Sequence, residues 1–347
     1  MIWFEMRSAL SLTIVLLFLM SESSRAETGI FIDPIVDGSA ITNSPALNSN
    51  MESSFHEVIK FSSLPLIYGV AQVQLSGGSE LIDLKDWSSI AASNQSSGTL
   101  CTLSLIGPRV VLLAAHCVDP KLTGSSKSTV LAANVRFVIP GQPYKMDCTM
   151  SPDYLSSDLN EYRAPRNSFD YALCELDRPV PDIDFETISL TRVLGVGSNV
   201  TLLGKGCIRL GISETTNKIT SEVGEGILRI GQQTIEATNV SYIPGGPSIY
   251  WRILSSTGQE PSLCYGDSGG PVMVIKSTGG REIVGVNSAL GRTDNATHSN
   301  PSFYSYLSPL RTPEFSTFLK KWTSESSSGV RRICGFSIVP GNEGCRY

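Results

Sequence analysis

Cys264-Tyr265-Gly266-Asp267-Ser268-Gly269-Gly270-Pro271 sets one serine in a turn among three glycines. Without a Cβ, glycine lets a backbone take unusual conformations and approach a ligand closely. A serine hydroxyl is a weak nucleophile until a base takes its proton, and that base needs an acid to fix its tautomer. Both groups occur upstream. Val110–Cys117 reads Val-Val-Leu-Leu-Ala-Ala-His-Cys, an apolar strand that ends by presenting His116. Phe169–Leu173 reads Phe-Asp-Tyr-Ala-Leu, with Asp170 at the mouth of a second apolar strand. Asp158 and Asp177 are rival acids nearby, but neither precedes Tyr-Ala-Leu; His56 and His298 read as structural or surface histidines.

These three segments, in the order His, Asp, Ser, resemble the chymotrypsin/trypsin family of serine peptidases, an order that separates it from subtilisins and α/β-hydrolases. The intervals of 54 and 98 residues lie near the roughly 45 and 93 of that family's template triad. Gly-Asp-Ser-Gly-Gly-Pro is highly specific, Ala-Ala-His-Cys nearly so, and Asp-Tyr-Ala-Leu weak on its own. The likeness runs from about residue 64 to about residue 325. It implies an all-β fold: two six-stranded antiparallel β-barrels packed face to face, followed by a C-terminal helix. His116 and Asp170 would come from the first barrel and Ser268 from the second. The resemblance also implies the roles: Ser268 as nucleophile, His116 as base and then acid, Asp170 orienting the ring. The backbone N–H groups of Gly266 and Ser268 would hold the oxyanion. No cofactor or metal is implied.

The rest of the chain reads in keeping with β structure. Short apolar runs at Leu66–Leu75, Leu103–Ala114, Val130–Ile139, Tyr171–Leu176, Val200–Leu203, Gly226–Ile230, Pro271–Ile275 and Glu282–Val286 alternate with Gly, Asn, Ser and Pro and predict strands. A short turn is expected after His116. Phe315, Phe318, Leu319 and Trp322 share one face of a predicted helix over Pro313–Glu325, with Thr312 as N-cap and Pro313 at the first helical position. Arg178-Pro179-Val180-Pro181 begins a linker, so the two halves should meet near 178–195. With a net charge of −5 and no basic block, a nucleic-acid partner is not expected, because phosphate binding needs clustered Lys and Arg. A composition of 41 % hydrophobic and 17 % charged residues also excludes a disordered chain.

At the start, Arg7, the apolar run Ala9–Met20 and the small residues of Ser24-Arg25-Ala26 form a secretory signal peptide, with cleavage expected after Ala26. Twelve apolar residues are too few for the roughly 20 that span a bilayer. The expected organisation is therefore a signal peptide (1–26), an N-terminal extension or pro-segment (27–66), a peptidase domain (67–325) and a disulfide-bearing tail (326–347). Export to the extracellular space, or to a bacterial periplasm, permits disulfides.

Eight cysteines allow 105 pairings, which the resemblance narrows. It implies Cys101–Cys117 across the strand leading to His116, and Cys148–Cys174 between neighbouring strands. Cys207 follows Gly204-Lys205-Gly206, similar to the family loop beside the oxyanion region, which implies Cys207–Cys264; Cys334–Cys345 then staples the tail. The specificity pocket of the family maps onto Ser262 at its base, onto a wall strand carrying Ser288 and Leu290, and onto Ser302. None is acidic, so a Lys/Arg preference is not expected, and Leu290 should narrow the slot toward small or medium apolar side chains. In this family Asp267 receives a newly liberated N-terminal ammonium. Ile35 and Ile67 are the two candidate starts, and an arrangement without the switch stays open. The implied activity is that of a secreted, monomeric serine endopeptidase acting on protein or peptide substrates and open to protein inhibitors. A catalytically silent homologue that binds partners, or a secreted esterase, remain the alternatives.

Overall fold

A computed structural model describes residues 79–80, 87–94, 100–123, 134–136, 144–156, 165, 167–222, 227–241, 249–256, 260–277, 280–326, 329–340 and 345. The signal peptide, the extension, Ile35, Ile67, His56, Asp158 and the strand expected at Leu66–Leu75 lie outside them. Of Val130–Ile139, only Asn134–Arg136 falls within.

In chain order the strands are β1 (Ser79–Glu80), β2 (Ile90–Asn94), β3 (Leu100–Gly107), β4 (Val110–Leu113), β5 (Asn134–Arg136), β6 (Met146–Met150), β7 (Ala172–Leu176) and β8 (Asn199–Gly204). They continue as β9 (Arg209–Ile212), β10 (Ile219–Glu222), β11 (Arg229–Thr234), β12 (Ala237–Val240), β13 (Tyr250–Ser255), β14 (Pro271–Ile275), β15 (Arg281–Arg292) and β16 (Phe303–Pro309). Helical pieces are a 3₁₀ turn at Ala115–Cys117, α1 (Pro120–Thr123), α2 (Pro152–Leu155) and α3 (Pro313–Ser324).

The first half is a six-stranded antiparallel sheet in the order β5-β2-β3-β4-β7-β6. The run expected as one strand, Leu103–Ala114, is instead a hairpin: β3 and β4 pair with Leu105 opposite Val111. Pro108 lies at the bend, where it has no N–H to give to a ladder.

The second half is an eight-stranded sheet in the order β1-β11-β8-β14-β15-β16-β13-β12, with β9-β10 as a separate hairpin. Its outermost members resolve into a barrel. Only Ile235 and Glu236 separate β11 from β12. Since β11 pairs with β8 and β12 with β13, this bent run is one strand that joins both ends of the sheet. Counted so, six strands surround the second core (β11/β12, β8, β14, β15, β16 and β13), and β1 is added to the edge of β11. Val200, Leu202, Ile253, Val272, Val284 and Leu307 fill that core. Leu103, Leu105, Val111, Leu113, Leu173 and Leu176 belong to the first.

At α3, the Thr312 hydroxyl accepts from the Phe315 N–H at 3.0 Å, satisfying an amide that the first helical turn leaves unpaired. Phe315, Phe318, Leu319 and Trp322 are buried, and Tyr171 meets Phe315 edge-on with ring centres 4.8 Å apart. The disulfide-bearing tail packs on the first core through Ile333, Cys334 and Cys345. Cys334 N donates to Ile106 O (2.8 Å), Ile188 N to Cys334 O (3.0 Å) and Phe185 N to Cys345 O (2.9 Å). The tail thus pairs with the end of β3 and with the linker between the halves. Among the described residues no helix is long and apolar enough to cross a membrane.

Candidate active site

Antiparallel pairing of β4 with β7 sets Leu113 opposite Ala172. His116 lies just past the end of β4 and Asp170 just before the start of β7, so the two emerge at one end of a ladder. Both are buried. His116 Nδ1 lies 2.6 Å from Asp170 Oδ2, and the His116 backbone N–H donates to Oδ1 at 2.8 Å. The carboxylate therefore holds the ring and its backbone together, with Nδ1 as the donor.

A third donor reaches Asp170 from the second half. Ser288 Oγ donates to Asp170 Oδ2 at 2.5 Å, and Tyr250 Oη lies 3.0 Å from Ser288 Oγ. Tyr250 Oη also donates to Asn167 O at 3.0 Å. Burial, with the charge of Asp170 adding to it, pushes the Tyr250 hydroxyl well above its ordinary pKa, so it stays a donor. Ser288, expected on the pocket wall, thus has its side chain committed to the carboxylate. Pairing of β15 with β16 goes from Asn287 opposite Leu307 to Ala289 opposite Tyr306. Ser288 is the extra residue of a β-bulge, a feature that re-aims a side chain.

The serine turn is stitched to both halves. Asp267 N donates to Cys264 O (3.0 Å), Gly270 N to Asp267 O (3.0 Å) and Gly269 N to Asn287 O (2.8 Å), while Ser268 O accepts from Thr102 N on β3 (2.8 Å). At Gly269, φ is +82°, and a Cβ would stand 2.4 Å from Thr102 O and 2.9 Å from Ala114 N. Only glycine permits this approach, which presses the turn against the end of the strand that leads to His116. Ser268 itself is 0 % exposed, and its Oγ has no hydrogen-bond partner among the described residues. The N–H groups of Gly266 and Ser268, unlike those of Asp267, Gly269 and Gly270, donate to no described group. A buried hydroxyl and two nearby amides with unspent hydrogen-bonding capacity need a partner, which an incoming carbonyl can supply.

Asp267 is enclosed, with Oδ1 accepting from Gly206 N (2.8 Å) and Oδ2 from Cys264 N (2.8 Å). Burial drives its pKa from 3.8 to about 7, against the pull of those two amides and of the Arg229 charge. Cys207–Cys264 links the Gly206 loop to the serine turn. The other disulfides are Cys101–Cys117, Cys148–Cys174 and Cys334–Cys345. Cys101, His116 and Cys117 form a cluster of metal-ligand type, but the disulfide leaves neither sulfur as the thiolate that a metal needs.

Of the pocket positions, Ser262 is buried with an unpartnered Oγ. Leu290 is buried opposite Ser305, whose hydroxyl accepts from Leu263 N at 2.9 Å, so Leu290 and the neighbourhood of Ser262 share one wall. Ser302 Oγ instead donates to Ser255 O at 3.1 Å. His298 bonds Ile212 O and faces Glu214, both outside the three segments.

The Trypsin family model matches residues 78–312. The chain belongs to the trypsin family. The matched stretch contains both sheets and His116, Asp170 and Ser268, and it ends at the N-cap of α3. No curated protein sequence matches the chain. Thr102, Tyr250 and Asn287 went unread in the sequence, although each is a polar residue within an apolar strand and so carries a faint signal of buried hydrogen bonding.

Proposed function

We propose that this trypsin-family protein is a secreted serine endopeptidase that hydrolyses peptide bonds through an acyl-enzyme. The observation that supports it best is the unspent Ser268 hydroxyl, on a turn pressed against the strand whose end carries the Asp170-bound His116. In the first step the Ser268 Oγ–H proton passes to His116 Nε2 as Oγ attacks the substrate carbonyl carbon. The carbonyl electron pair moves to oxygen, which the Gly266 and Ser268 N–H groups receive. His116 then protonates the leaving amine and the acyl-enzyme forms. Water, deprotonated by His116, attacks that ester, and the proton returns to Ser268 as the acid product leaves. Asp170, bonded to His116 Nδ1, keeps Nε2 free as the acceptor and stabilises the imidazolium.

Specificity follows from uncharged positions. Ser262, Leu290 and Ser302 offer no carboxylate to a Lys or Arg side chain, and buried Leu290 favours small or medium apolar ones. Synthesis as a zymogen, with Ile35 or Ile67 as the mature start, belongs to the same proposal, as does export through residues 1–26. The substrate is protein or peptide, and the working unit is a monomer.

The test is a fluorophosphonate probe on processed protein, with Ser268→Ala as the control, together with a peptide library. Labelling lost in S268A and cleavage outside Lys/Arg sites is the expected result. Absence of labelling after proteolytic processing points to a silent homologue, ester turnover without peptide cleavage to an esterase, and cleavage dominated by Lys or Arg overturns the pocket reading.

A further inference from the structure

We propose that the Thr102 hydroxyl is a positioning residue for the oxyanion-binding amides, an inference that rests on the peptidase reading above. In a trans peptide the C=O and N–H point in opposite directions, so whatever grips a carbonyl aims the amide of the next residue. Tyr265 O accepts from Cys207 N at 2.8 Å, which aims the Gly266 N–H. Asp267 O accepts from Gly270 N at 3.0 Å and from Asn287 Nδ2 at 3.2 Å, which aims the Ser268 N–H. Between these two peptides lies the Gly266–Asp267 peptide, reached through Gly266 at φ +97°, a residue with no side chain to hold its own torsions.

That middle peptide is tied at its N–H end, where Asp267 N donates to Cys264 O at 3.0 Å, and Thr102 supplies the grip at its carbonyl end. Its Oγ1 donates to Gly266 O at 2.8 Å and accepts from Lys205 N at 2.9 Å, while its backbone N–H donates to Ser268 O at 2.8 Å. The residue is 0 % exposed. One β3 side chain thus touches the loop after β8 and the serine turn together, and its hydroxyl fixes the peptide plane on the C-terminal side of Gly266. Cys207 fixes the plane on the other side. Both torsions of Gly266 are then set from outside, and with Asp267 O held by Gly270 N and Asn287 Nδ2 the two amides are aimed before substrate arrives. A hydroxyl that can donate and accept at once is required here; a methyl group of the same shape can do neither.

The experiment compares Thr102→Val and Thr102→Ser with wild type, each produced as the full chain and then proteolytically processed. Removing an oxyanion donor outright costs about 10²–10³ in kcat; misaiming one should cost less, about 10- to 100-fold. Thr102→Val should show that loss in kcat with KM within about two-fold, and affinity for a peptide boronate, which mimics the tetrahedral adduct, should fall in parallel. Thr102→Ser should recover most of both. If Thr102→Val fails to fold, Thr102→Ala carries the same expectation. Wild-type kcat in the hydroxyl-less variants, or equal loss in Thr102→Ser, overturns the inference, as does a loss confined to KM and melting temperature. A wild type that takes no fluorophosphonate label overturns the peptidase reading and this inference together; a labelled wild type with an unaffected Thr102→Val overturns the inference alone.

Discussion

Asp267→Asn should change how the stability of the unprocessed protein depends on pH. The carboxyl is buried and meets two amide donors at 2.8 Å, yet burial still holds its pKa at about 7 against an ordinary 3.8. The folded protein therefore binds this proton more tightly than the unfolded chain does. The stabilisation is whole below about pH 3.8 and is lost as pH rises through about 7. Roughly three pKa units at about 1.4 kcal/mol each amount to about 4 kcal/mol. Asparagine cannot ionise. Its amide group, set against backbone N–H donors, adds a penalty that does not vary with pH. The difference in unfolding free energy between wild type and variant should thus shift by about 4 kcal/mol between pH 4 and pH 8, wild type losing ground as pH rises. Urea unfolding followed by tryptophan fluorescence, with disulfides intact, measures it. Parallel curves would refute the reasoning. A slope of opposite sign would mean that a cation already stabilises the ionised Asp267, as an α-ammonium liberated at Ile35 or Ile67 is proposed to do after processing.

Ser288→Ala removes a hydrogen bond to a buried carboxylate, worth about 1.5–3 kcal/mol, so steady-state kinetics should show kcat down about 10- to 100-fold with KM little changed. A large KM effect with kcat intact would return Ser288 to the pocket wall. Replacing Cys207 and Cys264 together by serine frees a bridge between residues 57 apart, which chain entropy values at about 4 kcal/mol. The urea midpoint should fall accordingly, and activity should be lost at urea concentrations where the fold survives, because the Gly206 loop and the serine turn part first. Coincident loss of activity and fold would argue that the bridge is purely structural.

The locally encoded features were legible. The α3 helix announces itself through Thr312, Pro313 and four apolar residues at helical spacing, because capping and amphipathicity operate within a few residues. His116, Asp170 and Ser268 stood out because each belongs to a short run whose composition suits a strand end or a glycine turn. Chain-distant geometry was harder to read. Leu103–Ala114 looked like one strand because its apolar character continues past Pro108, and only pairing shows the reversal. Where the tail docks could not be read at all, because its contacts, Ile106, Phe185 and Ile188, lie far away in sequence.

The amino-acid order by itself determined the family, the candidate site residues and the helix at the end, since these depend on neighbours along the chain. Tertiary structure alone decided that Ser288 turns to Asp170, that Thr102 reaches Gly266, and that β11 and β12 close a barrel. Those outcomes depend on register, and a single added residue, as at the Ser288 bulge, redirects a side chain without leaving a mark in composition or periodicity.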